Sequence, residues 1–141
     1  MDPLERIRTS FAKQGLMTTL GAKLGAISPG AVEIILIPSP AISQQHGFVH
    51  AGAVSSIADS AAGYASLSLV PSGTSILSAE FKINLVAPAF AGATITAHAT
   101  CAQLNSVTRR ATFTIAVVDD ETGATLVSGT AVVAFPKGDH R

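Results

Sequence analysis

HGFVHAGAVSSIADSAAGYAS, residues 46–66, holds a single carboxylate, Asp59, among small and apolar side chains. No other Asp, Glu, Lys or Arg occurs from Ile34 through Ala79. A solitary charge in such a run is either a helix cap or a working group. Val54, Ile57, Ala58, Ala61, Ala65 and Leu69 recur at three-and-four spacing, which predicts a helix over about 51–69. The run is about as long as a membrane span. An Asp near its middle costs roughly 2.5–3.5 kcal/mol on insertion scales, however, and the five serines and two glycines of 51–70 add little driving force. Helices rich in Ala, Ser and Gly fit better inside a protein, because small side chains let a sheet approach the backbone closely.

The rest of the chain supplies that sheet. Asp2 caps a predicted short helix to Lys13, with Pro3 in its first turn and Leu4, Ile7 and Phe11 on one stripe. Leu20 to Ile27 reads as a short strand or irregular segment. Ala31 to Ile37 is strand-like and closed by Pro38-Ser39-Pro40, which cannot sit in a central strand. Beyond Pro71-Ser72-Gly73 only strands are expected: Ser78–Leu85, Thr94–Leu104, Arg109–Asp119 and Leu126–Phe135. Asp119 to Gly123 forms a polar turn before the last of them. Helix, strand, long helix and four strands make an α+β pattern with an antiparallel sheet. We read residues 1–141 as one domain, with a helical segment over 1–19 and a polar tail over 136–141.

Composition narrows the function classes. Nine basic residues balance nine acidic ones, and no cationic cluster exceeds Arg109-Arg110, so the electrostatic footprint of a nucleic-acid binder is missing. The lone Cys101 permits no internal disulfide and suits a reducing cytosol as a small buried hydrophobe. The first residues, MDPLERIRTSFAKQ, place charges where a signal peptide needs an apolar core, so a cytoplasmic location is expected. His46 and His50 lack nearby partner ligands for a metal, and no glycine motif for a nucleotide cofactor is present. Membrane and nucleic-acid partners are not expected.

One long helix against about five strands, together with GFVHAGAVSSIADSAAGYA at 47–65, resembles the PaaI-type acyl-CoA thioesterases of the hotdog-fold superfamily. That family's pattern is roughly G-x-x-H-G-G, six residues, then Asp. Gly47, His50, Gly52 and Asp59 fall in register, while Ala51 replaces the first glycine of the pair. AEFKINLVAPAFAG, residues 79–92, resembles the strand that follows, and the likeness extends from about Leu20 to Phe135. The resemblance implies a curled antiparallel sheet around the long helix. It also implies hydrolysis of an acyl-CoA thioester in a homodimer or dimer of dimers, without a cofactor beyond the coenzyme A of the substrate.

The same spacing makes chemical sense physically. The first N–H groups of a helix lack intrahelical acceptors and carry the positive end of its dipole. If the helix starts near residue 50 or 51, Ala51 and Gly52 are positioned to hold a thioester carbonyl oxygen as it becomes an oxyanion. Asp59 lies eight residues further on, roughly 12 Å along the axis, too far to serve a carbonyl held at its own helix start. The resemblance implies that the Asp of one subunit faces the helix start of the other, as general base for water or as nucleophile. The plainer reading makes Asp59 the N-cap of a helix beginning at Ser60.

Further roles follow from the resemblance. His50 orients its loop or bonds the substrate carbonyl, with a structural histidine as the alternative. Gln44 stands where many relatives carry Asn, six residues before the His, to position water or the thioester. Ser78 aligns with a Ser or Thr proposed to place the attacking water, and strand parity puts it opposite Phe81, facing away from the core of its own subunit. Arg109, Arg110, Lys82 and Lys137 are the cations available to the phosphates of coenzyme A. Tyr64, Phe48 and Phe90 either line the acyl pocket or fill the core. Two alternatives stand beside hydrolysis: a noncatalytic acyl-CoA-binding dimer, and a hotdog dehydratase or hydratase.

Overall fold

The computed structural model describes residues 2–136. Its elements are α1 (Pro3–Lys13), α2 (Gly15–Leu20), β1 (Ala22–Ser28), β2 (Ala31–Leu36), α3 (Ala51–Leu67), β3 (Leu77–Leu85), β4 (Ile95–Asn105), β5 (Arg110–Asp119) and β6 (Thr125–Ala134), with a 3-10 turn at Pro40–Ile42. All six strands form one antiparallel sheet in the order β1-β2-β4-β5-β6-β3. α3 touches every strand, so the sheet curls round it in the hotdog arrangement that the resemblance implies.

Small residues make that wrapping possible. Ile57, Ala58, Ala61 and Ala65 of α3 have no exposed surface, and they meet Ile34, Leu36, Ile95, Ala97, Phe113 and Val117 from the inner face of the sheet. β5 shows the alternation behind this most clearly, with Ala111, Phe113, Ile115 and Val117 buried in turn. Ser55 and Ser56 quiet their hydroxyls by donating to the carbonyls of Ala51 and Gly52, four residues back, at 2.7 Å each.

The N-terminal helix starts as expected: Asp2 accepts from the N–H groups of Leu4 and Glu5. α1 buries Ile7, stacks Phe11 against Tyr64 at 5.7 Å, and sends the Arg6 guanidinium to the carbonyls of Leu67 and Val70, beyond the last turn of α3. Three features differ from the sequence reading. The segment left open between strand and irregular is β1, a sixth strand, which follows a second short helix at the end of the expected helical segment. Cys101 is partly exposed rather than buried.

The third difference concerns β3. Ser78 lies opposite Val133 and Phe81 opposite Ala131, but a bulge at Ala79 shifts the register between Ser78 and Glu80. Directly opposed residues share a face, and Val133 and Ala131 are both buried under the sheet. Ser78 and Phe81 therefore both face inward, which corrects the parity argument that turned Ser78 away from the core. β3 is also an edge strand. Leu77, Phe81 and Leu85 remain 55%, 37% and 60% exposed on it, an apolar edge with nothing paired to its outer side among the described residues.

Candidate active site

α3 begins at Ala51, with His50 as its N-cap in an extended conformation (φ −60°, ψ 135°). The cap is unusual in kind. His50 folds back so that Nδ1 accepts the Gly52 N–H at 2.8 Å, which leaves the ring proton on Nε2. Gly52 makes room for that ring: a Cβ there would sit 3.0 Å from Nδ1. His50 thus caps the helix start through its ring. Of the two N–H groups expected to face a substrate oxygen, that of Gly52 is engaged by the cap. The N–H groups of Ala53 and Val54 bond the His50 carbonyl, and the Ala51 N–H alone keeps no acceptor among the described residues. His50, Ala51 and Gly52 are all exposed.

Asp59 lies in the middle of α3, not at its start, so the capping alternative fails. Its side chain is half-buried and accepts a hydrogen bond from Ser78 Oγ at 3.0 Å. The β3 bulge creates this contact by turning Ser78 toward α3. Asp59 and Ser78 line a cavity of about 290 Å³, together with Gly63 and Tyr64 of α3, Ser10 of α1 and Gln14 at the junction of α1 and α2. Ser10 Oγ and the Tyr64 hydroxyl lie 3.2 Å apart, and burial pushes the Tyr64 phenol above its ordinary pKa. A second, apolar cavity of about 230 Å³ borders the helix start, between Ala51, Val54, Leu85, Ala89 and Leu126.

The other expected site residues lie apart from these two cavities. Gln44 opens a tight turn closed by the Gly47 N–H on its carbonyl, with its Oε1 accepting from the His46 N–H, and lines a broad groove with Pro38, Pro40 and Gly47. Arg109 is committed to the end of the last strand: its Nε donates to the Phe135 carbonyl at 2.8 Å and its guanidinium covers the Phe135 ring at 5.3 Å. Arg110 and Lys82 are exposed on β5 and β3, and neither lines a cavity beside Asp59 or Ala51. Lys137 lies outside the described residues. Phe48 and Phe90 stack on one another at 5.4 Å, whereas Tyr64 does line the Asp59 cavity.

Sequence reasoning missed Ser10, Gln14 and Gly63. A faint signal existed, because Gln14 continues the Ile7–Phe11 stripe at a position where an apolar residue is expected.

Comparison with known proteins bears on the family and the fold. The thioesterase superfamily profile matches residues 46–125, the span from His46 through α3 to the start of β6. A thioesterase family protein from Silicibacter pomeroyi is 34% identical, with a TM-score of 0.86 over 93% of this chain and 96% of that one. The E. coli PaaI protein, from the phenylacetic acid degradation operon, superposes equally well (TM-score 0.86) over 97% of this chain and 95% of that one at 19% identity. A thioesterase from Haemophilus influenzae gives a TM-score of 0.80 at 18% identity, covering 94% and 91%. The last two likenesses speak to fold alone. No match is found among curated proteins. With the profile spanning more than half of its residues and a thioesterase family protein aligned along nearly all of its length, the chain belongs to the thioesterase superfamily.

Proposed function

We propose that the protein hydrolyses an acyl-CoA thioester to a carboxylic acid and free coenzyme A in the cytoplasm, as a homodimer with two composite sites. One observation carries the reading. A half-buried carboxylate, held by Ser78 in a cavity wall, shares a helix with an N–H that has no acceptor, eight residues earlier. Along one helix the two lie roughly 12 Å apart. A two-fold axis beside α3 and the apolar edge of β3 brings the Asp59 of one protomer to the Ala51 of its partner, twice per dimer.

In each site the thioester carbonyl oxygen points at the Ala51 N–H. Asp59, fixed by Ser78, takes a proton from water as the water oxygen attacks the carbonyl carbon. The developing oxyanion draws on the helix start, the C–S bond breaks as the carbonyl re-forms, and the thiolate leaves to be protonated. In the nucleophilic variant, Asp59 itself attacks and water then opens the anhydride. Thiol release from a panel of acyl-CoAs tests the reading. Asp59→Asn and Asp59→Ala are expected to lose roughly 100- to 10,000-fold in kcat, and full turnover in both would remove Asp59 from the chemistry. Tight binding by the wild type without any turnover would point to a noncatalytic acyl-CoA-binding dimer.

A further inference from the structure

Two features of the Asp59 cavity are unexplained by the packing of the chain itself. Gly63 occupies the interior of α3, where glycine is less favourable than alanine. Nothing crowds it: a Cβ there would meet only Ile76 Cδ1, at an ordinary 3.8 Å. Its missing side chain leaves open the cavity wall it lines. Across that cavity, at the junction of α1 and α2, Gln14 Oε1 is buried with no hydrogen-bond partner among the described residues, an arrangement proteins rarely leave unanswered. Beside it the Ser10 and Tyr64 hydroxyls share one bond at 3.2 Å, long for two hydroxyls, and one of their two O–H groups remains to be used. Leu67, Ile76 and Val133 give the cavity an apolar stretch of wall, with Ser60 beside Asp59.

We propose that this cavity receives the acyl group, and that Gly63, Gln14 and the Ser10–Tyr64 pair select a short acyl chain that carries a hydroxyl. The inference rests on the hydrolase reading above and names its substrate class. A volume of about 290 Å³ falls at the lower limit of small-ligand pockets, which favours a short chain over a long fatty one. The apolar wall suits a hydrocarbon stem. A hydroxyl both donates and accepts, so it can answer either end of the Gln14 carboxamide as well as the free capacity of the hydroxyl pair. Gly63 sets the width, and Gln14, Ser10 and Tyr64 supply the polar recognition.

The test compares hexanoyl-CoA with 3-, 4- and 6-hydroxyhexanoyl-CoA, and in parallel the corresponding CoA thioethers, which bind without being cleaved. At least one hydroxylated chain is expected to exceed hexanoyl-CoA by about tenfold in kcat/KM, the worth of a good hydrogen bond. That ratio should fall toward one in Gln14→Met, which keeps the volume and removes the amide, and should shrink in Ser10→Ala. Gly63→Leu should lower kcat/KM for hexanoyl-CoA more than for acetyl-CoA. Equal rates for all six-carbon chains in the wild type, or an unchanged ratio in Gln14→Met, would overturn the proposal. If no thioester is cleaved, the hydrolase reading falls by itself. The acyl pocket is then judged on the thioether pairs by calorimetry, where equal affinity for plain and hydroxylated chains refutes it.

Discussion

At Ala51 the hydrogen-bond accounting of the helix start leaves one N–H over, and a single substitution can delete that group without disturbing its surroundings. Proline is favoured at the first position of a helix, and the extended His50 that precedes it already has the backbone that a following proline requires. Ala51→Pro is therefore expected to fold with unchanged far-ultraviolet dichroism while kcat drops by about 100- to 1000-fold. Wild-type rates in this variant would move the oxyanion contact elsewhere. The family pattern places glycine here, and in the proposed mechanism only the amide of Ala51 is asked for.

Tyr64 offers a second test at this scale, since it is the only tyrosine. Burial raises its folded pKa above the ordinary 10.0, while the unfolded chain titrates near that value. The neutral phenol therefore favours the fold fully below about pH 10, and the contribution is lost as pH rises through the folded value. Phenolate absorbance should thus appear later on the alkaline side in native protein than in urea. Tyr64→Phe should flatten the decline in stability between those two points. Coincident native and unfolded titrations would show the ring to be solvated.

Among the elements, α3 was the most legible, because a lone charge inside a three-and-four apolar pattern could be placed on a helix from spacing alone. β5 was equally clear from its period of two. The facing of Ser78 was not. A bulge is one extra residue in a strand pair, visible only once the partner is known, and it inverts every parity argument on one side of it. The cavity wall from the N-terminal segment was hidden for a related reason: Ser10 and Gln14 gain meaning only from what they pack near, and α1 meets α3 across some fifty residues of sequence.

The β3–β6 pairing makes its own prediction. A Cβ at Gly129 would collide with the Lys82 carbonyl oxygen, so β3 lies where it does because β6 is bare at that point. Gly129→Ala is expected to lose about 1–3 kcal/mol in urea unfolding, as overpacked sites do. Gly63→Ala, with open space before it, should gain about 1 kcal/mol. The opposite signs would separate a glycine kept for packing from one kept for a ligand, and equal losses would contradict the geometry of both sites.

For the whole molecule the proposed dimer makes a direct prediction, since in it each protomer carries two half-sites that meet only across the two-fold axis. Asp59→Ala and Ala51→Pro should each be inactive alone. Unfolded together and refolded at equal concentration, they should recover about a quarter of wild-type activity, because half of the dimers are mixed and each mixed dimer regains one of its two sites. No recovery, with mixed dimers verified by mass spectrometry, would mean that each site is built from one chain.

The tie between Arg6 and the carbonyls of Leu67 and Val70 has a consequence for how such enzymes diversify. In the proposed reaction the chemistry belongs to α3 and β3, while Ser10 and Gln14, two of the groups proposed to taste the cargo, belong to an N-terminal segment held by Arg6 together with the packing of Ile7 and Phe11. Part of the appetite thus resides on a piece of chain separable from the chemistry. Grafting residues 2–14 from a relative, with the arginine kept as its buckle, should retune what is eaten and leave the manner of cutting alone.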